Sequence, residues 1–69
     1  MDIAKKIKLA ETYADISEAE LARRLGKTSQ AFGQRLKTGK FKSEELDEIA
    51  AALGCEAVFE FRFPDGMII

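Results

Sequence analysis

Between Leu21 and Leu36 the apolar residues keep a helical spacing that breaks once, at Gly26. Leu21, Ala22 and Leu25 stand before the break and Phe32 and Leu36 after it, which predicts two short helices sharing one wedge of buried side chains. Ala22 is small where the two axes cross closely, and Gly26 can take the left-handed backbone with which a helix stops. Any antiparallel helix pair needs some of these features; few need them all. Ser17-Glu18-Ala19-Glu20 has the form of a capping box, in which the serine oxygen accepts a free amide and Glu20 reaches back, so the first helix runs from there to about Leu25. Thr28 is placed to cap the second, from Ser29 to about Lys37, and the whole unit spans residues 17–37.

Further helices flank this unit on both sides. Ile3, Ile7, Ala10 and Ala14, with Ala4 and Leu9 beside them, give a helix from about Asp2 to Tyr13, capped by Asp2 and ended by Asp15. After the turn Thr38-Gly39-Lys40 and an apolar anchor at Phe41, Ser43 is expected to cap a fourth helix. Its first turn holds Glu44, Glu45 and Asp47, its inward stripe is Leu46, Ile49, Ala50 and Leu53, and Gly54 closes it. From Ala57 the period changes to two, with Phe59, Phe61 and Phe63 on one side and Val58, Glu60 and Arg62 on the other. Pro64-Asp65-Gly66 forms a tight turn, so residues 57–69 read as a strand returning through Met67, Ile68 and Ile69, with the three phenylalanines packed as core over the first and fourth helices. The fold class is mainly α.

With 69 residues, 46% of them apolar and 33% charged, the chain has room for one modest core, and residues 1–69 read as a single domain. Cys55 is the only cysteine and histidine is absent, so neither an internal disulfide nor the usual zinc patterns are available, and packing has to hold the fold. No apolar run is long enough for a signal peptide or a membrane helix, and a free thiol suits a reducing compartment, so the chain reads as cytoplasmic. Catalysis finds no support: there is no histidine, Cys55 follows a helix C-terminus that disfavours its thiolate, and no carboxylate pair flanks an obvious cleft. We expect no enzymatic activity, no cofactor, no metal and no small-molecule substrate.

The formal net charge of −1 and a pI near 5.4 argue at first against nucleic acid. Position reverses that inference. Residues 1–43 carry ten Lys or Arg against five acids, whereas residues 44–69 carry Arg62 alone against seven. Within the first part, Arg23, Arg24, Lys27, Arg35, Lys37, Lys40 and Lys42 fall in 21 residues that contain no acid at all, which makes a candidate phosphate-binding face.

Taken together, Ile16-Ser17, Glu20-Leu21-Ala22, Leu25-Gly26, Gln30-Ala31-Phe32 and Leu46-x-x-Ile49-Ala50-x-x-Leu53-Gly54 resemble the phage-repressor, Cro-like (Xre) helix-turn-helix family, from the first helix through Glu56. The resemblance implies a four-helix lambda-repressor-like domain, here with a short C-terminal β-strand or hairpin, that lays its third helix in the major groove of double-stranded DNA. By position it nominates Thr28, Ser29, Gln30 and Gln34 for base contacts, and the residue pattern agrees, because Phe32 and Leu36 have to point the other way. Gln30 and Gln34 share one face, and a glutamine amide can pair donor and acceptor with adenine. Arg35, Lys37, Lys40 and Lys42 occupy the segment where the family meets the phosphate backbone, with Lys27 in the turn and Arg24 on the second helix as further candidates. Two positions depart from the pattern. Lys27 stands where an aliphatic residue is commoner, and the Glu18 carboxylate would repel a phosphate at the start of the second helix. Gly33, inside the third helix, either permits a close backbone approach or is merely tolerated.

A lone two-stranded hairpin leaves an edge open. Antiparallel self-pairing centred on Phe61 would oppose Glu60 to Arg62 of a second chain, so Phe59, Glu60, Phe61, Arg62 and Phe63 are the expected homodimer interface. The functional expectation is a small Cro-like transcriptional regulator that acts by occupying a near-palindromic site. The alternative is a helical protein-interaction module, or an antitoxin-like partner protein, on the same scaffold.

Overall fold

Three of the four helices begin where a side-chain oxygen takes up a free amide. The structure is a computed structural model and describes residues 2–69. Asp2 Oδ1 accepts from the Lys5 amide at 3.2 Å, and α1 runs over Ile3–Ala14. Ser17 Oγ accepts from the Glu20 amide at 3.1 Å to open α2, Glu18–Arg24, and Thr28 Oγ1 accepts from the Ala31 amide at 3.1 Å to open α3, Ser29–Thr38. α4, Ser43–Leu53, starts differently. Lys42, not Ser43, holds the cap position, and its amide donates to Glu45 Oε1 at 3.1 Å. The expected serine cap is therefore corrected: the reach-back of Glu45 satisfies that amide, and Ser43 becomes the first helical residue.

The helices end on left-handed residues where the sequence offers them. Asp15 closes α1 at φ 57°, its amide donating to the Thr12 carbonyl. α2 stops at Leu25, and Gly26 at φ 71° turns the chain so that the Lys27 amide still reaches the Ala22 carbonyl at 2.9 Å. This turn sets α3 against α2.

One core results. Leu21 and Phe32 are fully buried, and with Ile7, Ala22, Leu36 and Ile49 they form a cluster drawn from all four helices. Ile3, Ala4, Ile16, Leu25, Phe41, Ala52 and Leu53 pack around it. Burying a side chain of this size contributes about 1.5–3 kcal/mol, which is how a chain with no disulfide holds together. Among the described residues no helix is long and apolar enough to cross a membrane.

The C-terminal segment departs from expectation. The turn at Pro64-Asp65-Gly66 forms, with the Gly66 amide donating to the Phe63 carbonyl at 3.0 Å and the Met67 amide to Asp65 Oδ1 at 2.9 Å. Pairing goes no further than one antiparallel bridge between Arg62 and Ile68 and the hydrogen bonds beside it, and residues 57–60 form no strand. Nor do the phenylalanines join the core: Phe59, Phe61 and Phe63 are 80%, 57% and 48% exposed, and every residue from Cys55 to Ile69 is exposed. The reason is supply. α1 and α4 close their apolar stripes against α2 and against each other, the hairpin packs on neither, and a two-stranded hairpin with no third layer is marginal in water.

Candidate nucleic-acid interface

The surface of α3 follows from its two buried residues. Phe32 and Leu36, four apart, turn one side of the helix into the core and leave Ser29, Gln30, Ala31 and Gln34 exposed. Gln30 and Gln34 lie one turn apart on that exposed side, and their amides bond to nothing within the chain among the described residues. Thr28 is also exposed, and although its oxygen accepts from the Ala31 amide as the α3 cap, its hydroxyl keeps its donor and one acceptor lone pair free. The first turn of α3 contains no acid, which leaves its positive dipole end uncompensated.

The seven cations fall into two groups that the sequence did not separate. Glu20 collects two of them: its carboxylate accepts from Arg23 Nε at 2.8 Å and from Arg24 Nε at 2.9 Å, and these arginines hold its pKa down at about 2. Arg24 also donates from Nη1 to the Ala52 carbonyl at 2.9 Å, tying α2 to α4. The expected return of Glu20 to its own helix cap does not occur, because the arginines three and four residues on compete for the same oxygens.

A third arginine is engaged across the next loop. Arg35 Nη2 donates to Glu45 Oε2 at 2.5 Å while its guanidinium lies over the Phe41 ring, 5.3 Å from the centroid. Glu45 is thereby shared between α3 and the start of α4, and its pKa is lowered first by the Lys42 amide and then by Arg35. Lys27, Lys37, Lys40 and Lys42 are exposed, and among the described residues no ion pair or hydrogen bond holds their ammonium groups. They sit in the turn before α3, in its last turn and in the loop after it. The cations left over therefore bracket the exposed glutamines.

Glu18 and Gly33 face each other. A Cβ added at Gly33 would meet only Glu18 Oε2, at 4.0 Å, which is ordinary contact, so nothing in the packing requires glycine there. Glu11 is the one residue of this corner that the sequence reading overlooked. It is 7% exposed near the end of α1, and its Oε2 has no hydrogen-bond partner. Burial raises its pKa first, and the negative charge of Glu18 raises it further. Its position beside Ile7 in the helical period carried the signal, since Glu11 continues that inward face one turn on.

A scan against protein-family models and searches of curated proteins and of solved structures found no match to this chain.

Proposed function

We propose that this chain is a Cro-like, Xre-type helix-turn-helix protein that binds double-stranded DNA in a sequence-specific way and regulates transcription as a homodimer. The observation that carries the reading is the exposed side of α3, where Gln30 and Gln34 stand free between lysines that have no partner among the described residues. In this reading α3 enters the major groove, Gln30 and Gln34 read base edges with Ser29 and Thr28 beside them, and Lys27, Lys37, Lys40 and Lys42 meet phosphates. Arg24 and Arg35, also nominated for phosphate, serve first to hold α2 and α3 against α4, because acids of the chain already occupy them. Two copies would present their α3 helices about 34 Å apart, one turn of the duplex.

Selection of bound sequences from a random duplex pool tests this directly. A two-fold site should emerge, and Gln30→Ala or Gln34→Ala should each relax discrimination at one base position by about 1–3 kcal/mol while leaving other positions alone. Lys37→Glu with Lys40→Glu should weaken binding to all sequences alike. If no duplex is enriched, the reading falls. The exposed aromatic hairpin favours a second reading, a protein-interaction module on the same helices, whose partner binding would survive both lysine reversals.

A further inference from the structure

α1 turns a second, unlike side to solvent. Ile3, Ile7 and the buried Glu11 lie on its inner side, where it packs on α2 and α4. Leu9, which the spacing set beside that inner stripe, stands instead on the outer side at 70% exposure, and Tyr13, one turn on, is 95% exposed. Lys5, Leu9 and Tyr13 follow one another at four-residue intervals and form a ridge along the helix, and Lys8 and Thr12 form a second row parallel to it. Between the two rows lies a shallow groove lined by Lys5, Lys8, Leu9 and Thr12, and its walls are almost wholly apolar. Thr12 adds to that character because its hydroxyl is spent, donating to the Lys8 carbonyl at 3.0 Å.

The charge on this side is of one sign. Glu11 is the one acid of α1 and lies buried, while Lys5, Lys6 and Lys8 are exposed, with no ion pair or hydrogen bond on their ammonium groups among the described residues. Their placement works against the helix. They stand in its first half, near the positive end of the dipole, where the first turn holds no acid, and the last turn, where a cation would be favoured, holds no basic residue. Helix stability therefore explains neither the lysines nor the two exposed apolar side chains beside them.

We propose that this groove docks an amphipathic helix of a partner protein, one whose apolar ridge is flanked by aspartates and glutamates. Two parallel rows at four-residue spacing are the relief into which the ridge of another helix packs, which selects a helix over an extended strand. The lysine stems lie along the apolar ridge while their ammonium groups, at the rim, meet the carboxylates. Nucleic acid fits this surface less well. A phosphate backbone would use the lysines and leave Leu9 and Tyr13 unmatched, whereas α3 offers its basic residues beside serine and glutamine, with no large apolar side chain exposed. The groove involves no residue of α3, and its occupant does not depend on what α3 binds.

The probe is a synthetic peptide of about 15 residues with leucines three and four apart and glutamates beside them, and its counterpart carries lysines in place of the glutamates. Amide NMR of the full chain should show the acidic peptide shifting residues 5–13 at micromolar concentration, with Gln30 and Gln34 unmoved, while the lysine counterpart shifts nothing. Leu9→Ala should weaken binding about tenfold, since the ridge loses most of its central apolar side chain. Lys5→Glu with Lys8→Gln should abolish the preference for the acidic peptide, and added salt should weaken its binding to the parent chain. Each substituted side chain is exposed, so helical circular dichroism should match the parent. Shifts confined to the hairpin or to α3, equal binding of both peptides, or no shift at millimolar peptide overturn the proposal. So does a DNA duplex, or a phosphatidylserine vesicle, that moves residues 5–13 where the acidic peptide does not. Shifts there that follow protein concentration alone give the groove to a second copy and overturn it as well.

Discussion

Phe32 and Phe61 are the same side chain in two settings, 1% exposed on the inner side of α3 and 57% exposed on the C-terminal hairpin. Their neighbours explain the difference. Phe32 belongs to a stripe of helical period that meets Leu21, Ile7 and Ile49 from three other helices, so four amphipathic faces close on one another. Phe61 belongs to a stripe of period two, on a hairpin that no sheet or helix covers among the described residues. Apolar residues in sufficient number do not make a core; a second apolar surface of matching shape does. Residues 2–54 have that surface within the chain, and residues 55–69 do not.

The most forceful way to break this division is to truncate both phenylalanines. Phe32→Ala should cost about 3–5 kcal/mol, enough to threaten the fold of so small a domain. Phe61→Ala, in protein dilute enough to be monomeric, should stay within about 0.5 kcal/mol by chemical denaturation. Equal costs would mean that the hairpin belongs to the cooperative unit.

A smaller effect is expected at the buried carboxylate. Glu11→Met should stabilise the helical body by roughly 1–3 kcal/mol at neutral pH, because it removes an unpartnered buried polar group, while Glu60→Met on the hairpin should change stability little. The raised pKa of Glu11 fixes the pH dependence. The folded chain holds that proton more tightly than the unfolded chain does, so the contribution is complete below the ordinary value of 4.5 and is lost as pH rises through the folded value. The advantage of Glu11→Met in thermal unfolding should therefore shrink on acidification.

The glycines sharpen the contrast further. Gly33→Ala should stabilise by about 1 kcal/mol, since α3 gains a better helix former and meets only ordinary contact. Gly66→Ala, at φ +93°, should disrupt the hairpin turn yet leave the unfolding of the helical body where it was. Glu20→Gln should have the smallest effect. With its pKa held at about 2, Glu20 contributes stability that is full above 4.5 and lost as pH falls through that lower value, so the variant should differ from the parent only in a slightly flatter acid limb of the unfolding curve.

Local chemistry was legible in the sequence, and long-range choice was not. Asp2, Ser17 and Thr28 cap their helices and Asp15, Gly26 and Gly54 end them as the residue types dictate, because each of those interactions spans only a few residues. Glu20 misled for a reason also local: its spacing suits both a reach to the cap and a pair with Arg23 or Arg24, and two guanidinium partners outcompete one amide. The Arg35 to Glu45 bond joins residues ten apart across a loop, and no periodicity encodes it. The phenylalanine arm showed its period plainly, but a period of two states only that one face is apolar, not what covers it. For the candidate site the same limit holds. Helical phase put Gln30 and Gln34 on the exposed side, whereas which basic residues keep their charge free depended on where acids from other helices came to rest.

That last feature leaves a thermodynamic trace. Each phosphate neutralised on duplex DNA releases condensed counterions, and the logarithm of affinity falls against the logarithm of salt concentration by about 0.9 per contact. A duplex gripped by Lys27, Lys37, Lys40 and Lys42 of one copy would give a slope of about −3.6, against about −5.4 if Arg24 and Arg35 let go of their acids to join them. Three arginines committed inside the chain make it a weaker polyelectrolyte than its count of basic residues suggests, and under the proposed function such a chain would leave random DNA more readily during a search.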